Sequence, residues 1–302
     1  MIAIKLENVS KQYEKKKVID SLSFEIPENS ICGFLGVNGA GKTTTLKLLS
    51  GLIDNNGGTI KIYDEEISTK KQSKYVRFLQ DVPEFYNFMT AFEYLKFICE
   101  LNNIKDKKEK IKEALELVGM EESKNKKIGG FSRGMKQRMG IAANIISEPK
   151  ILLLDEPVSA LDPMGRKEIF ELIGKLKGRT TILFSTHIID DVEKVCDRLI
   201  VIDKGKKIIE GSIHEIKSNY LTDIIEIEFL DINDMHTFIT GFENNKLDVN
   251  EETLTVRVTT NDIKNVQEKI FEKLSQDKIG INKLELATPS LEEIFMEEVE
   301  KQ

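Results

Sequence analysis

Gly36, Val37, Asn38, Gly39, Ala40, Gly41, Lys42 and Thr43 follow an apolar run from Ile31 to Leu35 and open a helix-like run. The spacing is that of a phosphate loop. Gly36, Gly39 and Gly41 let the chain turn so tightly that successive backbone N–H groups face a single anion. Lys42 brings a mobile ammonium to the β- and γ-phosphates, and the Thr43 hydroxyl is a ligand for Mg²⁺. The helix beginning here adds its positive N-terminal end. The pattern implies a site for a nucleoside triphosphate.

Two further strand-like runs end in residues suited to the same ligand. Ile151 to Leu154 leads into Asp155 and Glu156. The C-terminal strand ends of a parallel sheet line its ligand crevice, so Asp155 can hold Mg²⁺ through water, opposite Thr43. Glu156 can accept the proton of an attacking water. Thr181 to Ser185 runs on to Thr186 and His187. A donor at His187 would lie near the γ-phosphate and stabilise charge on the transferring phosphoryl group. Ser132, Arg133, Gly134 and Met135 precede the helical run Lys136 to Ile146. A hydroxyl beside helix N-terminal amides forms a second anion site. A one-nucleotide domain has no evident use for two, unless the second serves the nucleotide of another copy.

The elements that must position these residues read as α/β. Ile2 to Leu6 and Val18 to Ile26 alternate as strands, and Thr44 to Leu52 suits a helix ending near Gly51. Asn55, Asn56, Gly57 and Gly58 read as a hairpin-type turn into a strand at Thr59 to Tyr63. Residues 90–120 are helical in pattern, the charge run Lys105 to Lys112 being a solvated face. Short apolar runs separated by the helix-like stretch Pro163 to Leu176 favour a parallel sheet buried on both sides. The character changes around Ser218 to Asp223. Beyond it, Ile225, Ile227 and Phe229 alternate, as do Leu254, Val256 and Val258, with helical stretches at Val266 to Leu274 and Leu291 to Val299. This suggests a separate small α+β domain over 222–302, with no cluster of His, Cys or carboxylates to mark a site.

Composition narrows the function classes. The 302 residues, 40% hydrophobic and 31% charged, suffice for one large soluble domain and a small one. A formal net charge of −7 gives no footing for nucleic-acid binding. Cys32, Cys99 and Cys196 lack metal or redox spacing and read as reduced thiols of a cytosolic protein. No run approaches the roughly eighteen apolar residues of a membrane span, and no signal peptide is expected. If the chain works at a membrane, another polypeptide must do the spanning.

Together these residues resemble the nucleotide-binding subunit of an ATP-binding-cassette (ABC) transporter over residues 1 to about 215. Residues 36–44, ending in Thr44, resemble the Walker A loop, with Asn38 and Ala40 among its phosphate-facing positions; residues 151–156 resemble the Walker B strand with its catalytic Glu. Residues 131–138 resemble the family signature, 159–162 the D-loop ending in Asp162, and His187 the switch histidine. Gln80 matches the Q-loop glutamine, and Tyr13 falls where the family stacks an aromatic on adenine.

The resemblance implies a P-loop NTPase cassette over 1–217: a mixed sheet core with an antiparallel β subdomain and a helical subdomain. It also implies an ATPase whose copies pair head to tail, most simply as a homodimer, beside a separate transmembrane permease at the cytoplasmic face of the membrane. Lys42, Glu156 and His187 would then be catalytic; Thr43, Gln80 and Asp155 would hold Mg²⁺; Ser132, Gly134 and Asp162 would complete the partner's site. Phe85, Tyr86, Phe88 and Met89 would supply apolar surface for the permease. Residues 288–295, Thr288 to Phe295, resemble the end of a domain found in drug, antibiotic and bacteriocin exporters, which implies export. Arg133 departs from the glycine usual in the signature and is expected to point away from the phosphate. A rival class, cassette ATPases acting on ribosomes or DNA, carries a second cassette or a long coiled coil before the signature. This chain has one phosphate loop and too short a gap between Gln80 and Phe131.

Overall fold

The computed structural model describes residues 1–302 except 220–222, 241, 243–245, 261, 288–289 and 301–302. Position 222 of the expected domain boundary, and Thr288 and Pro289 of the tail resemblance, lie outside the described residues. The chain divides into two compact units, Met1–Ile213 and His214–Gln302, with the division earlier than the sequence suggests.

The first unit contains two sheets. In the antiparallel one, β1 (Ile2–Tyr13) lies between β2 (Lys16–Pro27) and β4 (Gly57–Ile62), and the two-residue β5 (Glu65–Glu66) adds to β4. Gly57 and Gly58 therefore lie inside β4, beside a register shift between Glu7 and Ser10 of β1, and do not form the hairpin turn expected. The helix before them, α1 (Lys42–Leu49), begins two residues earlier than Thr44 and stops short of Leu52, and no helix or strand separates it from β4.

The larger sheet has the order β10-β9-β3-β8-β7-β6. Its members are β3 (Ile31–Leu35), β6 (Val76–Leu79), β7 (Ile151–Leu154), β8 (Thr181–Thr186), β9 (Arg198–Asp203) and β10 (Lys206–Ser212). Every pair is parallel except β9 with β10. β3 and β7 are buried along their whole length, which is why they read as continuous apolar runs without alternation. Register pairs Leu35 with Thr186, Phe184 with Leu154, and Leu154 with Leu79. The residues that follow these strands, Gly36, His187, Asp155 and Gln80, consequently emerge at one end of the sheet.

Helices α2 (Ala91–Leu101), α3 (Lys107–Leu117) and α4 (Arg133–Ile145) connect β6 to β7 and bury Leu95, Ile111, Leu115, Met139 and Ile141 in one cluster. Thr90 and Glu93 cap α2 reciprocally. α4 lies unusually close to β6: a Cβ at Gly140 would stand 2.6 Å from Leu79 Cδ1. α5 (Pro163–Lys175) returns the chain to β8, and the short α6 (Ile189–Val195) precedes β9.

α7 (Ile213–Asn219) begins at the last residue of the first unit. The second unit then runs β11 (Asp223–Phe229), α8 (Ile232–Ile239), β12 (Lys246–Asn250), β13 (Thr255–Thr260), α9 (Ile263–Gln276), β14 (Ile281–Ala287) and α10 (Leu291–Glu300). The antiparallel order β12-β13-β11-β14 with this β-α-β-β-α-β succession is the split βαβ, ferredoxin-like plan. Ile225, Ile227, Phe229, Val256 and Val258 bury against Met235, Phe238 and Ile270. Arg257 pairs with Glu226 at 2.6 Å and with Glu293 of α10 at 2.9 Å. Among the described residues no group of three His, Cys, Asp or Glu could hold a metal ion, and no helix is long and apolar enough to cross a membrane.

Candidate active site

The loop from Gly36 to Gly41 joins β3 to α1 and is pinned to β8 by Gly36 N–H donating to the Thr186 carbonyl at 3.3 Å. Gly41 caps α1 with φ of 109°, a backbone that a side chain would strain, and its missing Cβ would meet Ile19 Cδ1 at 2.5 Å. Lys42 is 6% exposed and turns back over the loop. Its ammonium donates to the Gly36 carbonyl at 2.7 Å and pairs with Glu156 Oε1 at 3.2 Å.

Thr43 Oγ1 donates to Asp155 Oδ1 at 3.1 Å, so α1 and the end of β7 bring two oxygen ligands together. Asp155 is buried, and Ser185 Oγ donates to the same Oδ1 at 2.7 Å. The Ser185 hydroxyl also accepts the Glu156 N–H at 2.8 Å. One side chain thus orients both acids, and Glu156 adopts φ of 44° in the turn it holds. The second Glu156 oxygen lies 2.9 Å from His187 Nδ1. Lys42, Glu156 and His187 form a chain of three across the strand ends. Two adjacent hard oxygen donors, with Asp155 already satisfied by a hydroxyl, suit Mg²⁺.

Lys42, Thr43, Glu156 and His187 line a cavity of about 770 Å³, with Asn38, Gly39, Gly41, Thr44, Lys16 and Lys17 among the residues around it. Ser159, the first residue of the D-loop match, lines it too, as do Asp81 and Lys204, which sequence reasoning gave no role. Lys16, Lys17 and Lys204 came without a motif. Ser185 had a signal, its place two residues before His187, but its use depends on the register of β7 against β8.

Other expected residues stand apart from the cavity. Gln80 is exposed, and its side-chain amide donates to the Val82 carbonyl at 2.9 Å, along its own loop. Tyr13 is half-exposed at the end of β1 with the Lys11 ammonium 5.1 Å from its ring centroid. Ser132 caps α4, its hydroxyl accepting from Met135 N–H at 3.2 Å, with Gly134 in the first turn. Asp162 caps α5 by accepting from Gly165 N–H at 3.0 Å. Arg133 folds back within its own chain, 3.1 Å from Ser159 Oγ and 3.4 Å from Asp81 Oδ1, at the cavity wall.

The apolar surface after Gln80 is sorted by the structure. Phe85 packs edge-on against Tyr94 at 5.1 Å and joins the helical core, and Met89 is half-buried. Tyr86 and Phe88 are the exposed members, with Phe88 at 69%.

A family profile described as ABC transporter matches residues 19–159, and one described as ATP-binding protein DrrA1-3-like, C-terminal domain, matches residues 211–299. An uncharacterized ABC transporter ATP-binding protein of Bacillus subtilis (strain 168), YxlF, is 41% identical over 226 residues, 74% of this chain and 76% of that protein. The bacitracin transport ATP-binding protein BcrA of Bacillus licheniformis is 34% identical over 298 residues, 97% of this chain and 96% of the relative. Among solved structures, cbiO1 from Clostridium perfringens, part of the ABC transporter complex cbiONQ, superposes with a TM-score of 0.64 at 27% identity, covering 72% of this chain and 91% of that one.

Proposed function

Since this chain belongs to the family of ABC transporter ATP-binding subunits, which hydrolyse ATP to drive transport, we propose that it powers export of an antibiotic-like or peptide compound through a separate membrane permease. The observation that carries the hydrolytic part is the Glu156 carboxylate, bridging Lys42 and His187 directly beside the Thr43–Asp155 pair. The full-length likeness to a bacitracin transport subunit supports the exporter reading.

The phosphates of ATP lie along the loop amides, with Tyr13 stacked on adenine. They draw the Lys42 ammonium from the Gly36 carbonyl and from Glu156, which frees one carboxylate oxygen. Thr43 and Asp155 would hold Mg²⁺, which would supply charge neutralisation at the phosphates. Glu156 takes a proton from water, whose oxygen forms a bond to the γ-phosphorus as the bond to the ADP oxygen breaks. His187 donates to the γ-phosphate and steadies the charge that accumulates there. Ser185 keeps Asp155 and Glu156 in place without touching the nucleotide.

Ser132 and Gly134 have no nucleotide-facing role in their own chain. They serve the ATP of a second cassette, with Asp162 between the two sites. The exposed Tyr86 and Phe88 meet the permease, and the chain sits peripherally on the membrane's cytoplasmic face. The test is affinity purification of the tagged chain from solubilised membranes, with mass spectrometry of what accompanies it. A stoichiometric multispanning protein supports the reading. Recovery only with ribosomes or DNA rejects it.

A further inference from the structure

Arg166 lies in the first turn of α5, four residues beyond the Asp162 cap, and its backbone N–H bonds the Asp162 carbonyl at 3.0 Å. Its guanidinium leaves that helix and donates to Asp191 Oδ1 on α6 at 2.7 Å. Asp191 is fully buried. Its other oxygen accepts from Thr186 Oγ1 at 3.2 Å, and that same hydroxyl accepts the Ile188 N–H at 3.1 Å. The residues on both sides of His187 therefore hang on one carboxylate, and that carboxylate is held by one cation from a different helix.

We propose that Arg166 is a positioning residue for His187, acting through Asp191 and Thr186 to fix the imidazole against the reacting phosphate. The His187 side chain is 44% exposed, and its packing leaves it room to swing. Apart from the 2.9 Å contact of its Nδ1 with Glu156, its aim comes from the backbone on either side. A buried carboxylate deprived of its cation is strongly disfavoured and turns from its place, which releases Thr186. Misplacement of a reacting group by about 1 Å can cost on the order of 100-fold in rate, so a loosened loop reaches the chemistry without touching the nucleotide. Because Arg166 shares the first turn of α5 with Asp162, the link also runs from the D-loop to the histidine. This inference rests on the reading of His187 as the γ-phosphate donor.

The experiment measures steady-state ATP hydrolysis of the full chain for Arg166→Met, Arg166→Lys, Thr186→Val and His187→Ala, and for the Arg166→Met and Thr186→Val changes combined with His187→Ala. Arg166→Met is expected to lower kcat by roughly 10- to 100-fold while KM for ATP moves by less than about threefold. Arg166→Lys keeps the charge and is expected to recover part of the loss. Thr186→Val removes only one hydroxyl and is expected to give a smaller loss of the same kind, so the proposal stays testable if Arg166→Met does not fold. In the His187→Ala background neither change is expected to cost more than about twofold, since the group they position is gone. Equal losses in both backgrounds, or a loss confined to melting temperature, would reduce the Arg166–Asp191 pair to a helix staple and overturn the proposal. A slow His187→Ala beside an unimpaired Arg166→Met and Thr186→Val overturns the proposal alone. Wild-type turnover in His187→Ala overturns it together with the reading on which it rests.

Discussion

Replacing Glu156 with Gln tests the centre of the site while changing little of its shape. The amide keeps the length and planarity of the carboxylate, and its 16% exposure leaves little room for rearrangement. What disappears is the ability to accept water's proton. Loss of a general base costs about 10²- to 10⁴-fold in rate, or about 3–5 kcal/mol in the barrier. A second effect follows from the 3.2 Å pairing with Lys42. ATP no longer has to take that ammonium from a carboxylate, so nucleotide affinity is expected to hold or to rise by up to about tenfold. The two effects act on different constants. Phosphate release at saturating ATP reads the first, titration with a fluorescent ATP analogue the second, and gel filtration with ATP reports whether paired cassettes accumulate. Turnover within about threefold of the parent would refute the assignment of Glu156 as base, as would a loss repaired by raising ATP.

Ser185→Ala removes the acceptor of the Glu156 N–H and a donor to Asp155, and a buried group left unpaired costs about 1–3 kcal/mol. Scanning fluorimetry is expected to show a lower melting temperature with hydrolysis impaired; a neutral variant would mean that the hydroxyl organises nothing. Gly41→Ala forces a side chain into φ of 109° and against Ile19, a strain of about 1–3 kcal/mol that is expected to weaken ATP binding and lower the melting temperature together. Phe88→Asp places a charge on the most exposed aromatic of the patch and is expected to abolish co-purification of the permease while basal ATP hydrolysis persists. Retained co-purification would move the docking surface elsewhere.

Lys42, Thr43, Asp155, Glu156 and His187 were legible in the sequence because Asp155, Glu156 and His187 come at the ends of parallel strands, Lys42 and Thr43 open the helix that the phosphate loop joins to another such strand, and strand ends converge whatever the details of packing. The change of character read near Ser218 lies a few residues beyond the division between the two compact units at Ile213. What escaped depends on relations between distant segments. Ser185 serves Asp155 and Glu156 only because β7 and β8 lie in one particular register, and Asp191 is held from another helix. Gly57 and Gly58 look alike in a turn and in a bulged strand, and only the pairing of β4 with β1 decides between them. Gln80 was placed by motif, but the conformation of its own loop turns the amide to Val82. Phe85 and Phe88 differ in burial because the chain between them turns Phe85 onto Tyr94, which no hydrophobicity pattern reveals.

The close seating of α4 on the Leu79 side chain at Gly140 gives the helix a point about which a tilt can be reckoned. Ser132 stands eight residues toward the N-terminus of that point, a lever arm of about 12 Å at 1.5 Å per residue. A tilt of about 10° about the Leu79 contact therefore swings the Ser132 hydroxyl by about 2 Å, enough to make or break a hydrogen bond. Because β6 ends at Leu79 and the exposed aromatic surface follows Gln80, that surface lies next in sequence to the point about which Ser132 would swing.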